Sequence, residues 1–175
     1  TSPLRERAGR RAETHRRTVE GAAELPTPVG PAATTLSMIA ARAGVQRHTL
    51  YAHFPEERAL FLACSELATS RDPLPDAEGW RGIADPKARL RVGLAAIYAW
   101  YERNASLMAC VLRAAEHHAL TREVHEQRSG PAVAAWHDVL GAELSAARRA
   151  MLRLAVSFFT WRTLVRDGGL DQPAA

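Results

Sequence analysis

Lysine occurs once in this chain, at Lys87, so arginine supplies nearly all of its positive charge. No apolar run reaches the roughly 18 residues that a bilayer-spanning helix needs, so no membrane span is predicted. The basic opening segment TSPLRERAGRRAETHRRT has no apolar region behind it, so it does not read as a secretory signal. The expectation is therefore a cytoplasmic protein. The two cysteines, Cys64 and Cys110, have no CxxC partner, so a structural zinc site is unsupported. They sit inside apolar helical patterns and read as free buried thiols of a reducing compartment rather than a disulfide. A Gly-rich phosphate loop, GxSxG, HExxH and a spaced acid pair are all missing, so catalysis is not expected. No cofactor is expected either. Strand-like alternation is nearly absent as well.

What remains is helical. The 175 residues are 47% apolar, enough for one domain of ordinary size or a small module fused to a larger one. The net charge of +4 is unevenly placed. Residues 1–54 hold eight Arg against four Glu, while the rest balances, so the excess positive charge lies in the first third. An electrostatic footprint for phosphate has this form, and so does a solvated basic tail.

A first helix is predicted from about Arg10 to Leu25, with Val19, Ala22, Ala23 and Leu25 on its apolar side. Pro26, Pro28 and Pro31 forbid its continuation. Thr34 and Thr35 offer N-caps for a short helix, LSMIAARA, which Gly44 ends. Another short helix covers about Gln46 to Phe54, and Pro55 stands ready to open a fourth, EERALFLACSELATS. The polar stretch RDPLPDAEGWRGIADP reads as a loop. Asp85 and Pro86 then look like the N-cap and first residue of a helix with Leu90, Leu94, Ile97, Tyr98 and Tyr101 on one face. A helix from about Ser106 to His118 follows, and Ser129, Gly130 and Pro131 mark a break. Two carboxyl-terminal helices close the chain. One carries Val133, Trp136, Leu140 and Leu144 as a stripe. The other, MLRLAVSFFTWRTLV, is apolar nearly all round and is ended by Gly168 and Gly169.

A short helix, a glycine turn and a second short helix make a helix-turn-helix pattern, in which the second helix enters the major groove of duplex DNA. The residue types suit that role. Arg47 matches a guanine edge bidentately, His48 can donate to an acceptor, and Gln46 serves a base or a phosphate. Thr49 and Tyr51 carry hydroxyls that fix register on the backbone. Ile39, Ala40, Ala43, Val45 and Leu50 would lock the two helices together.

The wider stretch TTLSMIAARAGVQRHTLYAHFPEERALFLAC resembles the tetracycline-repressor-like (TetR) family of bacterial transcriptional regulators. The resemblance is carried by Thr35, Ile39-Ala40, Ala43-Gly44-Val45, Thr49-Leu50-Tyr51, His53-Phe54-Pro55 and Ala59-Leu60-Phe61, with Gly30 at a family glycine position. It covers roughly residues 16–68. It implies an all-α fold: an N-terminal three-helix helix-turn-helix DNA-binding unit over 1–54, and a C-terminal helical ligand-binding and dimerisation domain over 55–175. It further implies a homodimer on a palindromic operator and a small-molecule effector that releases a repressor from double-stranded DNA. The candidate DNA-binding residues are Thr35, Gln46, Arg47, His48, Thr49, Tyr51 and His53.

Two departures keep an alternative open. The family usually has aromatics where Pro26 and Pro31 stand, and a lysine near Glu57 that holds a phosphate. Arg58 is the candidate replacement. The alternative is a family member with a degenerate reading head, acting by ligand binding or dimerisation alone.

Trp80, Tyr98, Trp100, Tyr101, Met108, His117 and His118 are candidate pocket residues, since ligand cavities pair aromatic walls with a few polar handles. The same residues at helical spacing also suit a plain core. Trp80 reads as a lid or as a cap on the core. Trp136, Leu140, Phe158, Phe159 and Trp161 are candidates for the dimer interface, where an apolar helix must be covered on more than one side. His117, His118 and His125 are badly spaced for joint ligation, so no metal site is assigned.

Overall fold

The computed structural model describes residues 3–23, 40–41 and 43–170. Leu25, Pro26, Pro28, Gly30, Pro31, Thr34, Thr35 and Ile39 lie outside these. So does most of the predicted LSMIAARA helix, of which Ala40, Ala41 and Ala43 are seen, all helical. The described chain is helical and contains no strand. Its helices are α1 (Pro3–Ala23), α2 (Arg47–His53), α3 (Glu57–Arg71), α4 (Glu78–Arg81), α5 (Pro86–Arg103), α6 (Ala105–His117), α7 (Ala119–Gly141), α8 (Ala146–Ala155) and α9 (Phe158–Trp161), followed by a π-helical segment, Arg162–Asp167. None of these helices is long and apolar enough to cross a membrane.

The chain packs as two compact units. One joins residues 1–73 to 109–126; the other joins 74–108 to 127–175. The functional boundary read from the sequence, after Phe54, falls inside the first unit. The reason is packing: α3 shares one core with α1 and α2. Val19, Ala40, Leu50, Phe54 and Leu60 are buried together, with Val45, Ala63, Cys64 and Leu67 packed against them.

In the first unit α1 starts at Pro3, seven positions before the predicted Arg10. Proline suits a first helical position, because its missing N–H would be unpaired there anyway. Acid–base pairs then support the exposed part. Arg10 meets Glu6 at 3.5 Å, and Arg16 meets Glu13 at 2.7 Å and Glu20 at 2.9 Å. Each such pair contributes only a few tenths of a kcal/mol, about 0.2–0.5, but they act on one helix together. The apolar side appears only where the core begins, at Thr18 and Val19. The Thr18 hydroxyl is satisfied by the Thr14 carbonyl at 2.9 Å. Cys64 is a free thiol donating weakly to the Val19 carbonyl at 3.9 Å, and burial pushes its pKa up to about 12. Pro55 does not open α3. It precedes the N-cap, Glu56.

The predicted break at Ser129–Pro131 does not occur: α7 runs through Pro131. A proline inside a helix removes one backbone bond and strains its turn. Buried residues on either side of it, Val124 and Trp136, nevertheless anchor the helix. The interruption lies earlier, at His118. Its Nδ1 accepts from the Thr121 backbone N–H at 3.3 Å and lies 2.7 Å from the Thr121 hydroxyl. The imidazole thus caps the start of α7, a duty normally given to Ser, Thr, Asp or Asn.

In the second unit Asp85 and Pro86 open α5 as predicted. The Asp85 carboxylate accepts from the Lys87 and Ala88 amides at 3.3 and 3.0 Å. The loop before it contains α4, which buries Trp80 in the core rather than leaving it as a lid. Gly93 is what admits it: a Cβ there would meet Leu140 at 2.6 Å and Trp80 at 3.2 Å. The last apolar helix is not continuous. Ser157 is extended (φ −73°, ψ 135°) and divides α8 from α9. Two tyrosines of α5 stabilise that division. The Tyr98 hydroxyl donates to the Ala155 carbonyl at 2.9 Å, and the Tyr101 hydroxyl to the Val156 carbonyl at 2.7 Å. Gly168 and Gly169 do end the segment, Gly169 with φ +64°.

Gly21 lies where α1 meets the end of the following helix, and a Cβ there would come within 2.9 Å of the Ala43 backbone nitrogen. Backbone atoms cannot move aside cheaply. Gly21→Ala is therefore expected to destabilise the protein by about 1–3 kcal/mol, as overpacking does. A lowered midpoint in equilibrium urea unfolding measures this.

Candidate nucleic-acid interface

The interface begins with a helix end. Gly44 has φ +63°, a conformation that costs glycine little and other residues more. Its N–H donates to the Ala41 carbonyl at 3.2 Å, and the Val45 N–H to the Ala40 carbonyl at 2.9 Å. This is the Schellman arrangement, closed by apolar contact around Ala40 and Val45. Arg17 of α1 adds a guanidinium bond to the Ala43 carbonyl at 2.9 Å, satisfying another carbonyl that the helix end leaves free. The chain then extends through Gln46 (φ −75°, ψ 148°) and re-enters helix at Arg47.

Helix α2 is seven residues long and is held by Leu50 within it and by Phe54 at its C-cap, both buried. With those faces used, the amino end projects outward. Gln46, Arg47 and His48 are exposed, Tyr51 is exposed, and Thr49 and His53 are half-buried. Five of the seven candidate DNA-binding residues therefore lie on one short helix and Gln46 is its N-cap; Thr35 lies outside the described residues. Arg47 and Tyr51, four apart, are neighbours on the helix surface. The Arg47 Nη2 reaches the Tyr51 hydroxyl at 3.4 Å, and the guanidinium lies 5.7 Å from the ring centroid. Tyr51 thereby restrains the arginine on the exposed face.

His53 closes the helix against α1. Its ring lies edge-on to His15, centroids 6.2 Å apart, and His15 lies 4.7 Å from Phe54. Burial, then the charges of Arg11 and His15, hold the His53 pKa below the usual imidazole value. His15 and Arg17 both belong to the basic opening segment, which by itself assigns neither of them a partner. The signal for His15 was present in its i, i+4 spacing from Arg11. Arg17 could not be found this way, because its partner is a backbone carbonyl 26 positions away.

Arg58, the candidate phosphate holder at the start of α3, is engaged elsewhere. Its Nη2 and Nε meet the Glu123 carboxylate at 2.8 and 3.0 Å. Glu56 and Glu57 beside it are exposed.

The remaining candidates lie in cores or at helix ends. Trp80, Trp100 and Tyr101 are buried, and Tyr98 and Met108 half-buried, all in the second unit. Their rings pack with the chain's own groups. His117 and His118 belong to the first unit: His117 is exposed and 3.8 Å from Glu116, while His118 is the cap described above. Among the described residues, no three His, Cys, Asp or Glu gather as metal ligands. Of the dimer candidates, Trp136, Leu140, Phe158 and Trp161 are buried within one chain, and Phe159 alone is exposed. Tyr101, Phe158 and Trp161 form an aromatic cluster with centroids 5.4–5.9 Å apart. A groove of about 510 Å³ lies along Leu144, Ala146, Arg149, Ala150 and Arg153.

Residues 19–64, which include the turn and α2, match the family model for bacterial regulatory proteins of the tetR family. No curated protein and no solved structure matches the chain.

Three half-buried imidazoles, His53, His125 and His137, have pKa values pressed below 6.5, mainly by burial. The unfolded chain then binds more protons than the native one as pH falls below that value. Stability is expected to be full above about pH 6.5 and to be lost progressively as pH drops through the histidine range. Denaturant midpoints at about pH 7.5 and about pH 5.5 test this, and an unchanged midpoint contradicts it.

Proposed function

Because residues 19–64 carry the amino-terminal domain of the TetR family of bacterial regulatory proteins, a DNA-binding one, we propose that this chain is a repressor released from its operator by a small molecule. The observation that carries the reading is the exposed amino end of α2, with Gln46, Arg47 and His48 projecting directly after the Gly44 turn. Arg47 reads a guanine edge, with Gln46 and His48 beside it. Thr49, Tyr51 and His53, together with Thr35, hold backbone phosphates and set the register.

A palindromic operator needs two reading helices, one for each half-site. The proposed assembly is a homodimer. Trp136, Leu140, Phe158 and Trp161 are used by the chain's own core. The two-fold contact is therefore assigned to the exposed apolar side chains Phe159, Met151, Leu154 and Leu164. The effector is assigned to the second unit, among Trp80, Tyr98, Trp100, Tyr101 and Met108. Because these rings fill the core, a ligand has to displace them to enter. That displacement is what would couple binding to release.

One observation favours a second reading, a chain that dimerises without holding DNA. Arg58 is paired with Glu123, and Glu56 and Glu57 stand exposed where phosphate would approach. Gel shifts on DNA upstream of the chain's own coding sequence separate the two readings. Binding that weakens steeply with salt supports the repressor. Its absence at low salt supports the second reading.

Arg47→Ala is expected to cost about 1–3 kcal/mol of operator affinity and to relax discrimination at one base position. Tyr51→Phe is expected to weaken binding evenly across sequences. Titrations of both variants on matched and mismatched operators measure this. Unchanged discrimination by Arg47→Ala would remove Arg47 as the reading residue.

A further inference from the structure

We propose that Arg11, His15 and His53 form a phosphate subsite where α1 meets the end of α2, so that the amino-terminal extension of α1 grips the backbone of duplex DNA. The proposal rests on the DNA-binding reading and adds to it a set of contacts from a different helix, sensitive to pH.

The geometry starts with α1. Its buried face begins at Thr18, yet the helix continues back to Pro3, and Arg11 and His15 in this extension are exposed. Four residues apart, Arg11 and His15 share one helix face. His15 is not a loose surface group. It lies against Phe54 at 4.7 Å and edge-on to His53 at 6.2 Å, which fixes two imidazoles side by side at the end of α2.

The charges of α1 are not equivalent. Arg10 and Arg16 are neutralised by Glu6, Glu13 and Glu20 along the helix. Arg17 is spent on the Ala43 carbonyl. Arg11 has no carboxylate partner among the described residues, and its charge acts on His53. The charged groups that act on His53 are Arg11 and His15, both from α1. The nearest acids along the chain, Glu56 and Glu57, are exposed at the start of α3 and are not among them.

Three groups able to carry positive charge are thus held together without a facing carboxylate. Burial, together with the charges of Arg11 and His15, disfavours protonation of His53 until an anion arrives. A phosphate is the anion that an extension beside a reading helix would meet. When it binds, it offsets the repulsion and the subsite takes up a proton. DNA binding then tightens as pH falls, by linkage.

Phosphate contacts carry no sequence information, so a mixed-sequence duplex is sufficient as the probe. Fluorescence anisotropy of the full chain is measured at fixed salt between about pH 8 and about pH 6, and again against salt at fixed pH. Wild-type affinity is expected to rise as pH falls, by up to about tenfold per pH unit for each proton taken up. His15→Gln is expected to flatten that response. Arg11→Gln, an exposed change that leaves the core untouched, is expected to reduce the slope of log affinity against log salt by about 0.9, the value for one phosphate contact. Should His15→Gln fail to fold by circular dichroism, the salt slope of Arg11→Gln decides. Wild-type pH response and salt slope retained in the folded variants would overturn the subsite while leaving the reading helix in place. Absence of wild-type binding at low salt would overturn the DNA-binding reading itself, and the subsite with it.

Discussion

The first unit depends on how a helix end is closed at Gly44. A helix that stops leaves carbonyls without donors, and here three donors take them. Backbone amides of Gly44 and Val45 turn back to Ala41 and Ala40, and Arg17 reaches over from α1 to Ala43. Gly21 lets the two backbones approach closely enough for that guanidinium to reach. The orientation of α2 follows from this closure, because only Val45 and Gln46 separate it from the turn. Side chains at its amino end point outward as a consequence of where the preceding helix is forced to stop.

The same economy governs the arginines. A protein rich in arginine and nearly devoid of lysine must place many planar, permanently charged groups. Several are paired with carboxylates or backbone carbonyls: Arg16 between Glu13 and Glu20, Arg58 on Glu123, Arg89 on Glu143 and the Ile83 carbonyl, Arg149 on Gly141. Surface pairs of this kind contribute little stability, about 0–1 kcal/mol each. Their effect is on the field. The carboxylate pairs offset part of the positive charge of the first unit, and Arg47 and Arg11 are among its described arginines that have no such partner.

The second unit solves a different problem, an apolar segment too long to bury as one rod. Ser157 interrupts it, and the carbonyls freed by the interruption accept from Tyr98 and Tyr101. Those phenols are therefore structural anchors as well as aromatic walls, and burial raises the Tyr101 pKa well above its usual value. Anything that displaced them would also release the bend between α8 and α9. The placement of the exposed Phe159 thus depends on two hydrogen bonds from α5.

Local chemistry was legible from the residues alone. Gly44 as a helix stop, Asp85-Pro86 as a helix start and the exposed run at Gln46–His48 all follow from what a single residue's backbone or side chain permits. The helical class follows from composition and period. What the residues could not reveal were choices between partners far apart in the chain. Pro131 looks like a break, yet buried residues on both sides of it carry α7 through, and His118 becomes the break instead. Trp136, Leu140, Phe158 and Trp161 look available to a partner until a single chain covers them. Arg58 looks ready for phosphate until Glu123, 65 positions away, is beside it. Sequence alone thus determined the stops and starts that one residue sets by itself, at Gly44 and at Asp85-Pro86, since those depend on bonds within a few residues. Only the tertiary structure decided which side chains stay free, because burial and charge pairing are settled by neighbours that the order of the chain does not specify.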